Sequence, residues 1–180
     1  SYTFAASDVD SGDTITYAAT TLPSWLTFKA KTGVLSGTPD NAQVGNHSVV
    51  LTATDSSGAV DTQSFTITVS NVNDAPTVTS SAVTSIAEDS AYSYTFAASD
   101  VDSGDTITYA ATTLPSWLTF NASTGVLSGT PDNAQVGNHS VVLTATDSSG
   151  AVDTQSFTVN VAALNTEFQV NTYTTGAQYQ

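Results

Sequence analysis

The ten residues VVLTATDSSG at 49–58 predict how this chain folds. Apolar residues alternate with small or polar ones at Val49, Leu51 and Ala53, a period of two that is typical of a strand with one buried face. The run Asp55-Ser56-Ser57-Gly58 then predicts a turn. Beyond it the alternation resumes at Phe65, Ile67 and Val69. The stretch therefore predicts two half-buried strands joined by a turn.

The same pattern extends outward along the chain. Further alternating runs contain Tyr2, Phe4 and Ala6, and then Ile15, Tyr17 and Ala19. A denser apolar segment covers 22–28, and no stretch carries a 3.6-residue apolar period. About seven short strands separated by turns predict an all-β fold, a β-sandwich.

An internal repeat divides the chain. Residues 1–69 recur at 93–161 with few differences: Lys29/Asn121, Lys31/Ser123, Ile67/Val159 and Thr68/Asn160. A repeat this long indicates tandem domains, because solenoid repeats run to about 20–50 residues. We predict domains at 1–74 and 75–162, joined by a stiff linker around Asn71–Pro76, and a tail or the start of a following domain at 163–180.

The two domains are not predicted to be equal. The second has an additional strand candidate, Thr77 to Ile86, whose counterpart would precede Ser1. The first domain is therefore predicted to lack its N-terminal strand and to expose a sheet edge or groove. One hypothesis is that the tail 165–180 fills this edge, in the same or a neighbouring molecule.

Composition restricts the partners. The formal net charge is −14, and Lys29 and Lys31 are the fixed cations. Such a surface repels nucleic acid and anionic membranes and attracts divalent cations. The chain has no apolar run of about 18 residues, so we expect no membrane insertion. It also has no cysteine, so no disulfide holds the fold. We interpret it as a piece of a longer secreted protein.

Two acidic loops carry the chemistry. The sequence SDVDSGD occurs at 7–13 and 99–105, with carboxylates at Asp8, Asp10 and Asp13 and at Asp100, Asp102 and Asp105. Alternate residues of an extended segment project to one side, and Gly104 permits the turn that brings Asp105 round. Such carboxylates repel unless a cation or a proton neutralises them. With oxygen donors and neutral pH, the expected ion is calcium.

Several motifs together resemble a known family. They are DVDSGDTITY at 100–109, LPSWLTF at 114–120, TGVLSGTP at 124–131, ATDSSG at 145–150 and NVNDAP at 71–76. Both repeats are similar to the cadherin-like domains of the dystroglycan type and to related bacterial immunoglobulin-like repeats. The resemblance implies cadherin/immunoglobulin-like sandwiches with calcium between successive domains.

The resemblance also implies a ligand set. By position, the junction ligands would be Asn71, Asn73, Asp74, Asp100, Asp102 and Asp147, with Asp105 near a position that contributes a carbonyl. Glu88 would serve the junction beyond the second domain, and Asp8, Asp10, Asp13 and Asp55 would hold an ion on the first. Asn71 replaces the family's aspartate, and Asp40 stands where the family has a longer acidic motif. These departures predict one or two ions instead of three.

Other residues of the chain would suit other functions. Trp25 and Trp117 would suit sugar stacking, but their apolar neighbours favour a core position. His47 and Ser48 are adjacent in a strand and face opposite ways, so no nucleophilic pair forms and we expect no enzyme. The predicted function is a calcium-stiffened extracellular spacer or adhesion segment of a bacterial surface protein. The alternatives are a carbohydrate-binding module and a homophilic contact domain. Expected partners are other domains of the same protein, another protein chain or a polysaccharide.

Overall fold

The computed structural model describes residues 1–164, which form two compact units, with the boundary along the chain between Asn73 and Asp74. Unit 1 contains β1 Tyr2–Thr3, β2 Thr16–Thr21, β3 Leu26–Lys29, β4 Val34–Gly37, β5 Gly45–Thr54 and β6 Val60–Val69. Unit 2 contains β7 Thr77–Val78, β8 Ser85–Ala87, β9 Tyr92–Thr95, β10 Ala98–Ser99, β11 Thr108–Thr113, β12 Leu118–Asn121, β13 Val126–Gly129, β14 Gly137–Thr146 and β15 Val152–Ala162. Single 3₁₀ turns lie at Asn41–Gln43 and Asn133–Gln135.

Unit 1 is a sandwich of two antiparallel sheets. One sheet has the order β1-β4-β3 and the other β2-β5-β6. The alternation that predicts the fold defines the core, because Val49 and Leu51 on β5 are fully buried while their neighbours along the strand are less so. The prediction of an all-β sandwich is confirmed.

Unit 2 repeats this arrangement and adds to it. Its sheets have the orders β9-β13-β12 and β11-β14-β15-β8, and a separate pair joins β7 to β10. Strand β8 lies parallel to β15, with Ile86 opposite Val161. In the part of the chain that the structure describes, unit 1 has no counterpart of β7 or β8.

The predicted continuous strand over 77–86 is wrong in one respect, because the structure divides it into β7 and β8. Between the two strands the chain is held by Ser80, whose Oγ lies 2.6 Å from the hydroxyl of Tyr94. Ser80 Oγ also accepts a hydrogen bond from the backbone N–H of Ala97 at 2.9 Å. These contacts lie between the pairing of β7 with β10 and the pairing of β8 with β15, so the segment pairs with two different strands in turn.

Tyr92 gives unit 2 a predicted sensitivity to alkali. Tyr92 as a residue is 2% exposed, and its hydroxyl donates to the Val83 carbonyl at 2.7 Å. Burial, with a smaller contribution from Tyr94, raises the pKa of Tyr92 to about 12. A raised native pKa means that stability is intact below pH 10 and is lost as pH rises through 12. We expect unit 2 to lose about 3 kcal/mol over this range, measured by urea unfolding at each pH. Tyr92→Phe is expected to flatten this dependence, and an unchanged slope in that variant would contradict the assignment.

Candidate metal centre

Three carboxylates of unit 2 converge at one end of the sandwich. Asp100 follows β10, Asp105 ends the same loop, and Asp147 follows β14. One carboxylate oxygen from each lies within 4.8 Å of the others. The cluster forms because β10 and β14 end at the same pole, which brings residues far apart in sequence together. We call Asp100, Asp105 and Asp147 the acidic cluster of unit 2.

One oxygen of each carboxylate in the acidic cluster accepts hydrogen bonds that hold the side chain in place. Asp100 Oδ1 accepts from the backbone N–H of Asp102 at 2.9 Å, and Asp105 Oδ1 accepts from the Ser148 hydroxyl at 2.9 Å. Asp147 Oδ1 accepts from the backbone N–H groups of Ser149 and Ala151 at 2.9 and 2.8 Å. These bonds fix the directions of the side chains before any ion binds, which lowers the ordering cost of binding.

In two of these carboxylates, the second oxygen accepts no hydrogen bond from the described residues. Asp100 Oδ2 and Asp105 Oδ2 are buried and make no hydrogen bond within the described residues. Asp147, as a residue, is 5% exposed. Two ionised carboxylates at such separations repel by roughly 3–4 kcal/mol at an effective dielectric constant near 20. A hard divalent cation would both neutralise this charge and ligate the oxygens, so the residues fit calcium.

The linker contacts this pole of unit 2. The backbone N–H of Asp74 donates to Asp102 Oδ2 at 2.7 Å, and Asp102 is 5% exposed. Asp102 lies outside the three-residue cluster, and its assignment as a metal ligand stays a prediction. Asn71 and Asn73 belong to unit 1, so their assignment as junction ligands with Asp74 stays a prediction.

The corresponding loop of unit 1 groups different residues. Its cluster contains Asp8, Asp10 and Asp13, of which Asp8 and Asp10 are exposed. Asp13 Oδ1 accepts from the Ser56 hydroxyl at 2.7 Å, as Asp105 does from Ser148. No described residue of unit 1 takes the place of Asp74. Because water screens exposed charges, this cluster is expected to bind a cation more weakly than that of unit 2.

Asp55 predicts how unit 1 responds to acid. Hydrogen bonds from the Ser57 hydroxyl and from the backbone N–H groups of Ala59 and Ser57 hold the pKa of this carboxyl below its usual value. A native pKa below the unfolded pKa of about 3.9 stabilises the folded state above that pH, and this stability is lost as pH falls through the native pKa. We therefore expect the melting temperature of unit 1 to fall less steeply with decreasing pH in Asp55→Asn than in the parent chain. Equally steep falls in the two chains would contradict this.

The sequence patterns do not identify the two serines that orient the clusters. Ser56 and Ser148 lie in predicted turns, yet their hydroxyls donate hydrogen bonds to Asp13 and Asp105 of the acidic loops. The available signal was their place directly after Asp55 and Asp147.

Glu88 lies apart from this cluster. It is 7% exposed, its Oε1 accepts from the backbone N–H of Leu164 at 2.7 Å, and its Oε2 is buried without a hydrogen-bond partner in the described part of the chain. Its backbone N–H donates to Ala162 at the end of β15. The resemblance assigns Glu88 to a junction beyond unit 2, and that assignment stays a prediction.

The tryptophans pack inward. Trp117 contacts the core of unit 2 and lies edge-to-face with Tyr92 and with His139, at centroid distances of 5.9 and 5.8 Å. Trp25 contacts the core of unit 1 and lies 5.6 Å from His47. The Nε2 atom of His47 is itself 2.6 Å from the Gln43 carbonyl oxygen. These contacts use the rings for packing.

The fold defines a class, that of immunoglobulin- and cadherin-like β-sandwich modules. The family described as "Putative Ig domain" matches residues 1–70 and again residues 75–162, and the chain belongs to this family. A serine-rich adhesin for platelets from Staphylococcus aureus (strain MRSA252) is 34% identical over 159 residues. That match covers 88% of this chain and 11% of the adhesin, so the chain spans about a tenth of that relative's length.

Solved structures agree on the fold. The human mucin-like protocadherin EC1-2 structure aligns with a TM-score of 0.57 and 19% identity, covering 87% of each chain. The protocadherin GammaB4 extracellular domain aligns with a TM-score of 0.51 and 20% identity, covering 81% of this chain and 28% of that one. At these identities the similarity concerns architecture alone. None of the described residues belongs to a helix long and apolar enough to span a membrane.

Proposed function

We propose that residues 1–180 are a non-enzymatic, calcium-binding adhesion or spacer segment of an extracellular bacterial surface protein. The observation that carries the calcium assignment is the pair of buried, unpartnered oxygens of Asp100 and Asp105 beside Asp147. The adhesion assignment is supported by family membership and by the similarity to a staphylococcal adhesin.

Calcium would act on the linker as well as on the carboxylates. Asp74 already contacts Asp102 through its backbone, next to the acidic loop. An ion held by Asp100, Asp105 and Asp147 would stabilise that loop and, through it, the start of the linker. Ligands from Asn71, Asn73 or Asp74 would then couple linker order to neutralisation of the charge. The proposed outcome is a stiffer junction that projects neighbouring domains.

Calcium titration of the full chain tests the proposal. We expect calorimetry to show calcium binding in the micromolar to millimolar range, with magnesium binding weaker, because magnesium keeps its water and demands octahedral geometry. Asp105→Asn is expected to weaken the tightest site at least about tenfold, since it removes one of the ligand charges. Equal weak binding of calcium and magnesium, unaffected by Asp105→Asn, would reject the metal assignment.

Asp89→Asn is the matched control. Asp89 is exposed and has φ 59°, a conformation that asparagine adopts readily. The substitution Asp89→Asn removes the same formal charge as Asp105→Asn but leaves the three residues of the acidic cluster unchanged. Calcium affinity is expected to stay close to that of the parent chain.

A further inference from the structure

Unit 1 has two cavities, and each is lined in part by residues of β6. The larger, about 280 Å³, is lined by Ser1, Tyr2, Trp25, Leu35, Gly37 and Ile67 among others. The second, about 210 Å³, lies near the acidic loop and is lined by residues that include Ala6, Ser7 and Asp61. We call the two cavities together the open groove of unit 1.

In unit 2 the counterpart of the second cavity is covered by β7. Strand β7 pairs with β10, with Val78 opposite Ala98 and Thr77 opposite Ser99. The backbone N–H of Val78 donates to Asp153 Oδ2 at 2.8 Å. The counterparts of Ala98, Ser99 and Asp153 in unit 1 are Ala6, Ser7 and Asp61, which line the cavity there.

The counterpart of the larger cavity is covered by the second half of the same segment. Tyr92 lies opposite Gly129, and its ring is 5.9 Å from that of Trp117. Ile86 packs against the core of unit 2 from β8. In unit 1, Gly37 and Trp25 stand in the places of Gly129 and Trp117, and both line the larger cavity.

Exposure differs between the units accordingly. Tyr2 is 40% exposed, whereas its counterpart Tyr94 is 5% exposed. Val161 is 1% exposed, whereas its counterpart Val69 is half-buried. Since the repeats differ at few positions, the segment 77–92 accounts for this difference.

Two side chains of unit 1, Tyr2 and Gln63, already make the hydrogen bond seen in unit 2. The Tyr2 hydroxyl donates to Gln63 Oε1 at 2.6 Å, as the Tyr94 hydroxyl does to Gln155 Oε1 at 2.6 Å. In unit 2, Gln155 Nε2 also donates to the Ser80 carbonyl at 2.8 Å, and so holds the covering segment. A ligand that enters unit 1 therefore meets side chains placed as in the filled copy.

We propose that the open groove binds an extended polypeptide segment with the sequence of residues 77–92, other than the copy that already covers unit 2. The segment adds to the sheet parallel to β6, as β8 adds to β15, with its isoleucine opposite Val69 and its tyrosine against Trp25. This proposal does not depend on the calcium assignment.

The sheet register places a donor for this strand. In unit 2, the backbone N–H of Asn160 donates to the Thr84 carbonyl at 2.9 Å. Asn160 pairs with Asn138 across β14 and β15, and its counterpart Thr68 pairs with Asn46 in the same register. The Thr68 N–H therefore points to the open edge, where the added strand would accept its hydrogen.

A second copy of the chain does not satisfy the groove. Residues 77–92 of each chain already cover the corresponding surface of unit 2. If a second copy lent this segment to unit 1, it would uncover its own unit 2, so the exchange would gain no contact.

The test adds a synthetic peptide of sequence 75–92 to the full chain and follows hydrogen exchange. A fragment that spans 65–72 differs in sequence from its counterpart in unit 2, so protection around the Thr68 amide is assigned to unit 1 without ambiguity. Saturating peptide is expected to slow exchange there at least tenfold, to leave unit 2 unchanged and to raise the melting temperature of unit 1 by about 5–10 °C. A peptide carrying Ile86→Asp is expected to bind at least about tenfold more weakly.

A second variant keeps the test decisive. In a chain with residues 75–92 placed directly ahead of Ser1, the Thr68 amide is expected to be protected without peptide, and added peptide to have no effect. The proposal is overturned if this chain and the parent exchange alike, or if the Ile86→Asp peptide protects equally well. It is also overturned if Thr68 is already protected in the parent and loses protection when residues 165–180 are removed, because the tail would then be the occupant.

Discussion

Calcium at ten times its dissociation constant is expected to raise the melting temperature of unit 2 by about 5–10 °C, corresponding to roughly 1.4 kcal/mol of linkage. The physical reason is the charge that Asp100, Asp105 and Asp147 hold within 4.8 Å. The folded state concentrates these carboxylates and the unfolded chain separates them. Calcium therefore favours the folded state.

The sharpest form of this prediction is a reversal of sign. Asp100→Asn is expected to melt higher than the parent in a chelator, because it removes repulsion, and lower than the parent in calcium, because it removes a ligand. Asparagine retains an oxygen that can accept the Asp102 N–H. Asp89→Asn is the charge-matched control, expected to show no reversal. A variant that is less stable by the same amount with and without calcium would show that Asp100 has a structural role alone.

Gly125→Ala is expected to destabilise unit 2 by about 4 kcal/mol or more, at the upper end of single substitutions. Gly125 has φ +69°, and an added Cβ would lie 2.3 Å from the Phe96 carbonyl oxygen. That oxygen belongs to the main chain between β9 and β10, and the Phe96 N–H bonds to the Gly125 carbonyl at 2.8 Å. Relief therefore requires a backbone shift next to Phe96, which is 1% exposed.

Gly150→Ala separates the two causes. Gly150 also has positive φ, +93°, but an added Cβ meets nothing within 4 Å. It is expected to cost about 1–3 kcal/mol from backbone strain alone. Chemical unfolding of both variants measures the difference. Equal costs would mean that the close approach of Phe96 to Gly125 is not rigid.

The sequence predicted the sandwich because its period-two runs are unambiguous. Val49 and Leu51, chosen from alternation, are fully buried in the structure. The sequence did not predict that residues 77–86 form two strands, because the break depends on Ser80 meeting Tyr94 and Ala97. Such a contact across the sandwich leaves no local pattern.

The sequence predicts the acidic residues of the candidate site, but not which of them lie together, because that depends on contacts between distant parts of the chain. Alternation placed Asp100 beside Asp102, whereas the structure groups Asp100 with Asp105 and Asp147 and places Asp102 against the Asp74 N–H. Periodicity gives the side of a strand on which a residue lies. It does not predict hydrogen bonds to residues distant in sequence, such as the bond from the Asp74 N–H to Asp102 Oδ2.

A crystal structure of the full chain grown in millimolar calcium tests the central claim most directly. The account predicts an ion with a carboxylate oxygen of Asp100, of Asp105 and of Asp147 each about 2.3–2.6 Å away. Water alone between these three side chains, at a calcium concentration that saturates any site seen by calorimetry, would contradict it.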